Sequence, residues 1–206
     1  VKQAADPALT VSRETEARLR EFLALLRRWN LRINLVADRD ETALWRRHVL
    51  DSLQLVPLLP EGAGPIVDLG SGAGFPGLVL AMVTGRPTHL IESDRRKAAF
   101  LGEAARSLGL GVVTVHPHRI EAAAPPPAAV VTARALAPLP ELLRYAHPLL
   151  APGGVALFPK GRRVQEELTA AVRGWTMHVE RFPSRTDPVA TILRLSEIHP
   201  AAGAHA

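Results

Sequence analysis

The sequence predicts an α/β protein: a mostly parallel sheet covered by helices on both faces, with a helical N-terminal extension and an antiparallel hairpin at one sheet edge. Three observations carry this. Beyond residue 65, short apolar runs rich in β-branched residues alternate with helical stretches, and unalternated runs of that kind belong to strands buried on both faces. The last two strand-like runs follow one another with little helix between them. Before residue 60, apolar residues recur instead at three- and four-residue intervals. With 206 residues, 47% apolar and 22% charged, the chain is long enough to bury the core of one domain, and wholesale disorder is excluded.

The elements follow in order. Ser12 is the expected N-cap of a first helix in which Leu19, Phe22, Leu23, Leu26 and Trp29 form the apolar face, with Arg18, Arg20, Arg27 and Arg28 between them. A second helix is expected over 41–59, burying Leu44, Trp45, His48 and Leu55. The breaker-rich stretch 60–65 marks a boundary, dividing a helical extension (1–62) from the core (63–198) and a disordered tail (199–206). Strands are expected over 66–69, 89–92, 112–116, 129–133 and 155–159, and helices over 77–83, 95–108, 139–150 and 164–172. Two further strands, 178–182 and 190–195, form the edge hairpin, and the Ala/Pro run 122–129 reads as a loop.

Composition removes whole classes of chemistry. The absence of cysteine excludes disulfides, thiolate zinc sites, cysteine-ligated clusters and a cysteine nucleophile. No apolar run approaches a membrane span and no signal-peptide pattern opens the chain, so a cytoplasmic protein is expected. The net charge of +5 is carried almost wholly by arginine, with lysine only at Lys2, Lys97 and Lys160. Arginine is the better phosphate fork and base-stacking partner, although a GC-rich coding sequence gives the same bias. His48 has no clustered ligands, so no metal is expected. With no long coiled coil or obvious apolar edge, a monomer is expected.

The most informative segment joins the first strand to a helix: Asp68-Leu69-Gly70-Ser71-Gly72-Ala73-Gly74-Phe75-Pro76-Gly77. Glycines allow tight turning and close approach of a ligand, and the helix start offers free N–H groups. Gly72 to Gly77 satisfies G-x-G-x-x-G, and Glu92 follows Gly72 by twenty residues, as a ribose-binding acid should. Alone, this permits a nicotinamide enzyme. Asp68, however, places a carboxylate where a dinucleotide would bring its pyrophosphate. S-adenosylmethionine has no phosphate; Asp68 near its ammonium group and Glu92 on its ribose hydroxyls suit that cofactor better. The plain alternative is a turn cap at Asp68 and a solvated strand end at Glu92. Downstream, Ile120 and Glu121 are placed to flank an adenine, or simply to start a short helix. Arg134 follows a strand on the ligand edge, where it can meet the methionine carboxylate or a guanine O6. Lys160, Arg162 and Arg163 follow the next strand and are candidates for RNA phosphates. Arg47 with Asp51, and His48 with Ser52, are spaced to pair along one helix face.

Arg47-His48-Val49-Leu50-Asp51-Ser52, the glycine loop running on into Phe75-Pro76-Gly77, Ala133-Arg134-Ala135 and Lys160-Gly161 resemble, in this order and spacing, the RsmG family, also called GidB. The resemblance spans about Leu19 to Leu195. It implies a Rossmann-like class I methyltransferase that uses S-adenosylmethionine to modify N7 of a guanine, position 527 in standard numbering, in 16S rRNA or the small ribosomal subunit. Carried over, the cofactor residues are Gly70, Phe75, Ile120, Glu121 and Arg134. The physical reading adds Asp68, Ser71, Gly72, Gly74 and Glu92. The resemblance makes the Arg47–His48 helix a candidate wall of the pocket. Ser71, where the family often carries threonine, and the Ala/Pro run after Glu121 are departures. Guanine N7 presents an unshared pair in the ring plane, so no general base is assigned and alignment supplies most of the catalysis. Two other readings remain open from sequence: a nicotinamide-dependent oxidoreductase, and a non-catalytic RNA-binding module with a vestigial loop.

Overall fold

The computed structural model describes residues 9–38 and 40–201. Helix α1 (Arg13–Asn30) starts at Ser12, whose hydroxyl accepts the Thr15 amide at 3.1 Å, and buries Leu19, Phe22, Leu23, Leu25 and Leu26. Each such side chain removed from water is worth roughly 1.5–3 kcal/mol. This face joins Phe75, Leu78, Phe100 and Leu101 in one core, so the N-terminal helix shares an apolar interior with the helices that carry Leu78 and Phe100, and the helices that carry Leu142 and Leu168 pack in a second cluster.

The helix expected over 41–59 takes a different course. Helix α2 (Glu41–Leu44) passes into a π-helical turn (Trp45–Leu50), then α3 (Asp51–Leu53), and a separate 3₁₀ turn (Val56–Leu58) follows. Pro57 removes an amide donor and disfavours helical geometry at the residue before it, which ends the α-helix early. The helix expected over 139–150 also stops short: α6 (Leu139–Ala146) gives way to a 3₁₀ turn (His147–Leu149) containing Pro148.

The sheet has seven strands: β1 (Ile66–Leu69), β2 (Thr88–Ile91), β3 (Val113–His116), β4 (Ala128–Ala133), β5 (Leu150–Lys160), β6 (Trp175–Pro183) and β7 (Thr191–Pro200). Their order is β3-β2-β1-β4-β5-β7-β6, with β1 to β5 parallel and β7 antiparallel to both of its neighbours. Helices α4 (Gly77–Thr84) and α5 (Arg95–Ser107) serve the β1–β2–β3 side, and α6 and α7 (Val164–Ala171) follow β4 and β5. The chain therefore winds outward in opposite directions from β1 and β4, and at that switch point the C-terminal strand ends open a crevice. Strand β5 begins five residues before its expected start. Strand β7 continues to Pro200, so 199 and 200 are strand and not tail; residues 202–206 lie outside the described residues.

Candidate active site

The glycine loop at the end of β1 divides into a front and a back. Gly70 (φ +61°) and Gly72 (φ +53°) hold left-handed conformations that side chains disfavour, and both line a cavity of about 480 Å³. A Cβ on Gly72 would meet nothing nearer than the Gly70 carbonyl at 3.7 Å, so the space in front of it is open. Behind the loop, a Cβ on Gly74 would stand 2.5 Å from Leu78 Cδ1, and one on Gly77 would collide with Leu90 and reach 2.7 Å from Asp68 Oδ2. Gly74 therefore serves close packing and does not line the cavity as its motif position suggested. Ser71 likewise faces inward, its hydroxyl donating to the Asp68 carbonyl at 3.0 Å.

Glu92, just past β2, ties the loop down. Its Oε2 accepts the Gly72 amide at 2.9 Å and its Oε1 the Asp94 amide at 2.8 Å. Each carboxylate oxygen has a second lone pair, so both retain capacity for a ribose hydroxyl. Ile120 and Glu121, on a 3₁₀ turn after β3, line the opposite wall, with Arg134 and Leu136 completing it. Open space at a φ-positive glycine beside an acid with free acceptor capacity fits a nucleoside-bearing ligand.

Asp68 is a correction. It is fully buried and lines neither cavity described here; its Oδ1 accepts from Thr132 Oγ1 at 2.7 Å, and Oδ2 lies beside the Gly77 amide without a well-formed hydrogen bond. Burial pushes its carboxyl up to about 6, against the pull of Thr132, Ser71 and the Gly77 amide. Its position braces the loop from beneath, away from the cavity in front of Gly72. Phe75 is also buried, stacked on His48 with ring centroids 5.0 Å apart, and the Arg134 guanidinium lies over it at 5.3 Å. Its ring is thus a shelf for Arg134 and not a cavity wall.

A second cavity, about 940 Å³, adjoins the first and shares with it the segment from Arg134 to Pro138. Arg46, Arg47, Asp51, Gln54, Lys160 and Thr186 contribute to its walls. Arg134 stands at the junction: Nη1 donates to the Arg47 carbonyl at 3.1 Å and lies 3.7 Å from Asp51 Oδ2. Ala135, next along, has φ +52°, a strained conformation for a residue with a Cβ.

Of the two helical pairs expected here, the Arg47–Asp51 ion pair does not form, and the His48–Ser52 hydrogen bond forms to the main chain and not to the ring. The π-helical turn adds a residue to the turn between them, and Arg47 bonds Asp38 at 2.9 Å and not Asp51. The Ser52 hydroxyl donates to the backbone carbonyl of His48 at 2.7 Å, leaving the ring to Phe75 and to Asp38 Oδ2, 3.3 Å from Nε2. His48 lies outside both cavities, and burial together with the Arg134 charge lowers it to about 4. Lys160 is a further correction: its side chain is only 9% exposed, with Nζ 2.6 Å from Glu167 Oε2 and donating to the Ala137 carbonyl at 3.0 Å. Glu167 Oε2 also accepts the Leu139 amide at 2.8 Å, so the pair clamps the shared segment and is not turned toward RNA phosphates. Arg162 and Arg163 are exposed beyond β5, Arg163 pairing with Glu166 at 2.9 Å. Sequence reasoning missed the polar cross-link of Asp51 and Gln54 to Ser184 and Thr186. Its partners are 130 or more residues apart, and no spacing rule reaches that far.

Among the described residues, no group of three or more His, Asp or Glu side chains is placed to hold a metal ion, and no helix is long and apolar enough to cross a membrane. The sheet order, the glycine loop, the acid beyond β2 and the crevice at the switch point define a class I S-adenosylmethionine-dependent methyltransferase. Two solved structures share the fold. A ribosomal protein L11 methylase from Lactobacillus delbrueckii subsp. bulgaricus matches with a TM-score of 0.62 at 13% identity, over 74% of this chain and 79% of that one. The glycopeptide N-methyltransferase MtfA complexed with S-adenosylmethionine matches with a TM-score of 0.62 at 11% identity, over 72% and 86%.

The family model described as rRNA small subunit methyltransferase G, GidB, matches residues 15–188, and the chain belongs to that family. It is 59% identical over 193 residues to the ribosomal RNA small subunit methyltransferase G of Rhodospirillum centenum, covering 94% of this chain and 89% of that one. It is 56% identical over 188 residues to that of Gluconobacter oxydans, covering 91% and 96%.

Proposed function

We propose that this chain methylates N7 of guanine 527 (standard numbering) in 16S rRNA, acting in the cytoplasm as a monomer without a metal. The observation that carries the reading is the pair of adjoining cavities sharing one wall, Arg134 to Pro138, at the C-terminal edge of a methyltransferase sheet. When bound, S-adenosylmethionine supplies an electrophilic methyl group on a sulfonium. Gly72 admits the cofactor close to the backbone, Gly70 makes the turn before it against Leu136, Glu92 accepts from its ribose hydroxyls, and Ile120 and Glu121 flank its base. Asp68 and Phe75 act through the loop and through Arg134.

The target nucleotide occupies the larger cavity. The shared wall consists of one cation and four apolar residues, so it offers no proton acceptor. An exocyclic amine needs that help, whereas ring N7 has no proton to lose, and positioning suffices. Exposed arginines around the larger cavity, Arg46, Arg47, Arg162 and Arg163, are the candidates for binding phosphates.

The test is incubation with labelled S-adenosylmethionine and 16S rRNA or small subunits from a strain lacking the modification, with the labelled nucleotide mapped. Label on N7 of the single expected guanine is the predicted result. Label on an exocyclic amine, or cofactor binding without transfer to either substrate, overturns it.

A further inference from the structure

Asp51 is a firmly fixed acceptor in the larger cavity. Its Oδ1 accepts from Gln54 Nε2 at 2.7 Å and from Thr186 Oγ1 at 2.8 Å, two donors from opposite ends of the chain. Gln54 is itself held from the far side, its Oε1 accepting the Arg185 amide at 2.9 Å and its Nε2 3.2 Å from Ser184 Oγ. With both lone pairs of Oδ1 engaged, the carboxylate cannot rotate freely, and Oδ2 faces Arg134 Nη1 at 3.7 Å, beyond hydrogen-bond length. The result is a preoriented carboxylate oxygen beside a guanidinium, both lining the larger cavity, with Arg134 also lining the smaller one.

That juxtaposition has a chemical complement. Guanine carries its O6 acceptor directly beside its N1–H donor, with the N2 amino group next in line, and N7 shares an edge with O6. Adenine presents the opposite polarity, an amino donor beside an unprotonated N1. An arginine and a carboxylate side by side match the guanine order and oppose the adenine order. Bases taken out of a stack are read on these edges.

We propose that Asp51 and Arg134 together read the target base as guanine. Asp51 Oδ2 accepts from N1–H and Arg134 donates to O6, which leaves N7 toward the wall shared with the cofactor cavity. The assignment rests on the guanine-N7 reading above and adds to it a specificity-determining residue that motif spacing had paired with Arg47. Arg134 is suited to the junction because Phe75 and the Arg47 carbonyl fix its plane from two directions.

The experiment pairs a protein change with a base change. Small subunits are reconstituted with 16S rRNA carrying either guanosine or 1-methylguanosine at the target nucleotide; the latter keeps N7 and O6 but replaces the N1 proton with a methyl group. Wild type should prefer guanosine by at least about tenfold in kcat/KM, the discrimination of one good base-edge hydrogen bond. Asp51→Asn keeps an acceptor for Gln54 and Thr186 but turns an amide toward N1–H. It should lower kcat/KM on guanosine about ten- to a hundredfold and reduce the preference over 1-methylguanosine to within about threefold. S-adenosylhomocysteine affinity should stay within about twofold of wild type.

Thr186→Val, which removes one donor from Oδ1 and leaves the carboxylate in place, should erode the preference partially, and it carries the test if Asp51→Asn melts early. A preference that survives at wild-type size in the variants, or a wild type indifferent to 1-methylguanosine, overturns the proposal. A wild type that methylates no guanine N7 in unmodified subunits overturns the parent reading, and this proposal with it.

Discussion

The two cavities that meet at Arg134 are built on different principles. The cofactor side is local: Gly70, Gly72 and Glu92 lie within a single β-loop-α-β passage, and their geometry rests on backbone conformation and one carboxylate bonded to a backbone amide. The base side is assembled from remote pieces. Asp51 bonds Thr186, Gln54 bonds Ser184, Arg134 bonds the Arg47 carbonyl and Lys160 bonds the Ala137 carbonyl. A locally built site can lose its ligand and keep its fold. One tied together by long-range polar bonds, most of them partly buried, loses stability along with its ligand when a bond is cut.

Lys160→Met is the sharpest way to break that contrast. The pair is partly buried, with Glu167 one-fifth exposed, so removing the ammonium group and its bond to the Ala137 carbonyl costs about 1–3 kcal/mol. For a chain of this size the melting temperature should fall by roughly 5 °C, at about 2–4 °C per kcal/mol. Arg163→Met cuts an exposed pair and should cost less than about 1 kcal/mol. Thermal unfolding followed by circular dichroism compares the two. Equal melting temperatures for Lys160→Met and wild type would return Lys160 to the RNA-binding role that its place after a strand first suggested.

Two groups behind the glycine loop carry opposite pH signatures. His48, half-buried against Phe75 and outside both cavities, is lowered to about 4 from an ordinary 6.5, so its contribution is present above pH 6.5 and lost as pH falls toward 4. Asp68, under the cofactor loop, is raised to about 6 from an ordinary 3.8, so its contribution is greatest below pH 3.8 and lost as pH rises through 6. Each is worth about 3 kcal/mol at most, and between pH 4 and 6 their slopes oppose. Wild type should therefore show a shallow dependence there. His48→Gln should leave stability falling from pH 4 to 6, and Asp68→Asn should leave it rising over the same interval, both read by urea unfolding. Parallel curves for the two variants would mean that neither burial acts as described.

What could be read from sequence follows the same division. A φ-positive glycine and an acid twenty residues on leave a spacing signature because one short stretch of backbone makes the site, and Ile120, Glu121 and Arg134 follow from strand ends on the ligand edge. Pro57 and Pro148 carried the signal that stops two helices early. Nothing in Trp45-Arg46-Arg47-His48-Val49-Leu50 marks a π-helical turn, and that turn decides which side chains face Asp51. Lys160 reads as a surface cation until Glu167 is seen to meet it across the following turn. Asp68 reads as a ligand until Thr132, from a neighbouring strand, is seen to occupy its Oδ1.

Affinity for S-adenosylhomocysteine, measured by titration calorimetry, probes the local side alone. Gly72→Val adds a β-branched side chain at positive φ in open space, so it should weaken binding at least about a hundredfold with the fold retained. Glu92→Ala removes the ribose acceptor and the brace on the Gly72 amide. At about 1.5–3 kcal/mol for a charge-assisted bond, a loss of about ten- to a hundredfold is expected. Gly77→Ala is the contrast, since its Cβ would collide with Leu90, and it should lower the melting temperature instead. Near-native affinity in well-folded Gly72→Val would show that the loop does not cradle the cofactor.

The smallest expected effect concerns the outer arginines. Arg162 and Arg163 are exposed past the end of β5, close in sequence to Gly161, which lines the base cavity. On α1, Arg27 pairs with Glu41 at 3.3 Å and Arg20 with Glu16 at 2.7 Å, much as Arg163 does with Glu166, but no residue of α1 lines either cavity. Each arginine–phosphate pairing removed should reduce the slope of log affinity against log salt by about 0.7 on single-stranded RNA, and by about 0.9 on a duplex. The double change Arg162→Ala with Arg163→Ala should therefore lower the slope by between about 0.7 and 1.8, depending on whether one or both reach a phosphate. Arg27→Ala with Arg28→Ala should leave it unchanged. Filter binding of 16S rRNA from about 50 to 200 mM salt reads both, with S-adenosylhomocysteine affinity as the control that the cofactor side is untouched. A reduced slope in the α1 pair but not in the β5 pair would move the RNA path from the rim of the base cavity to the helical face. Arg163 would then owe its place to Glu166 alone.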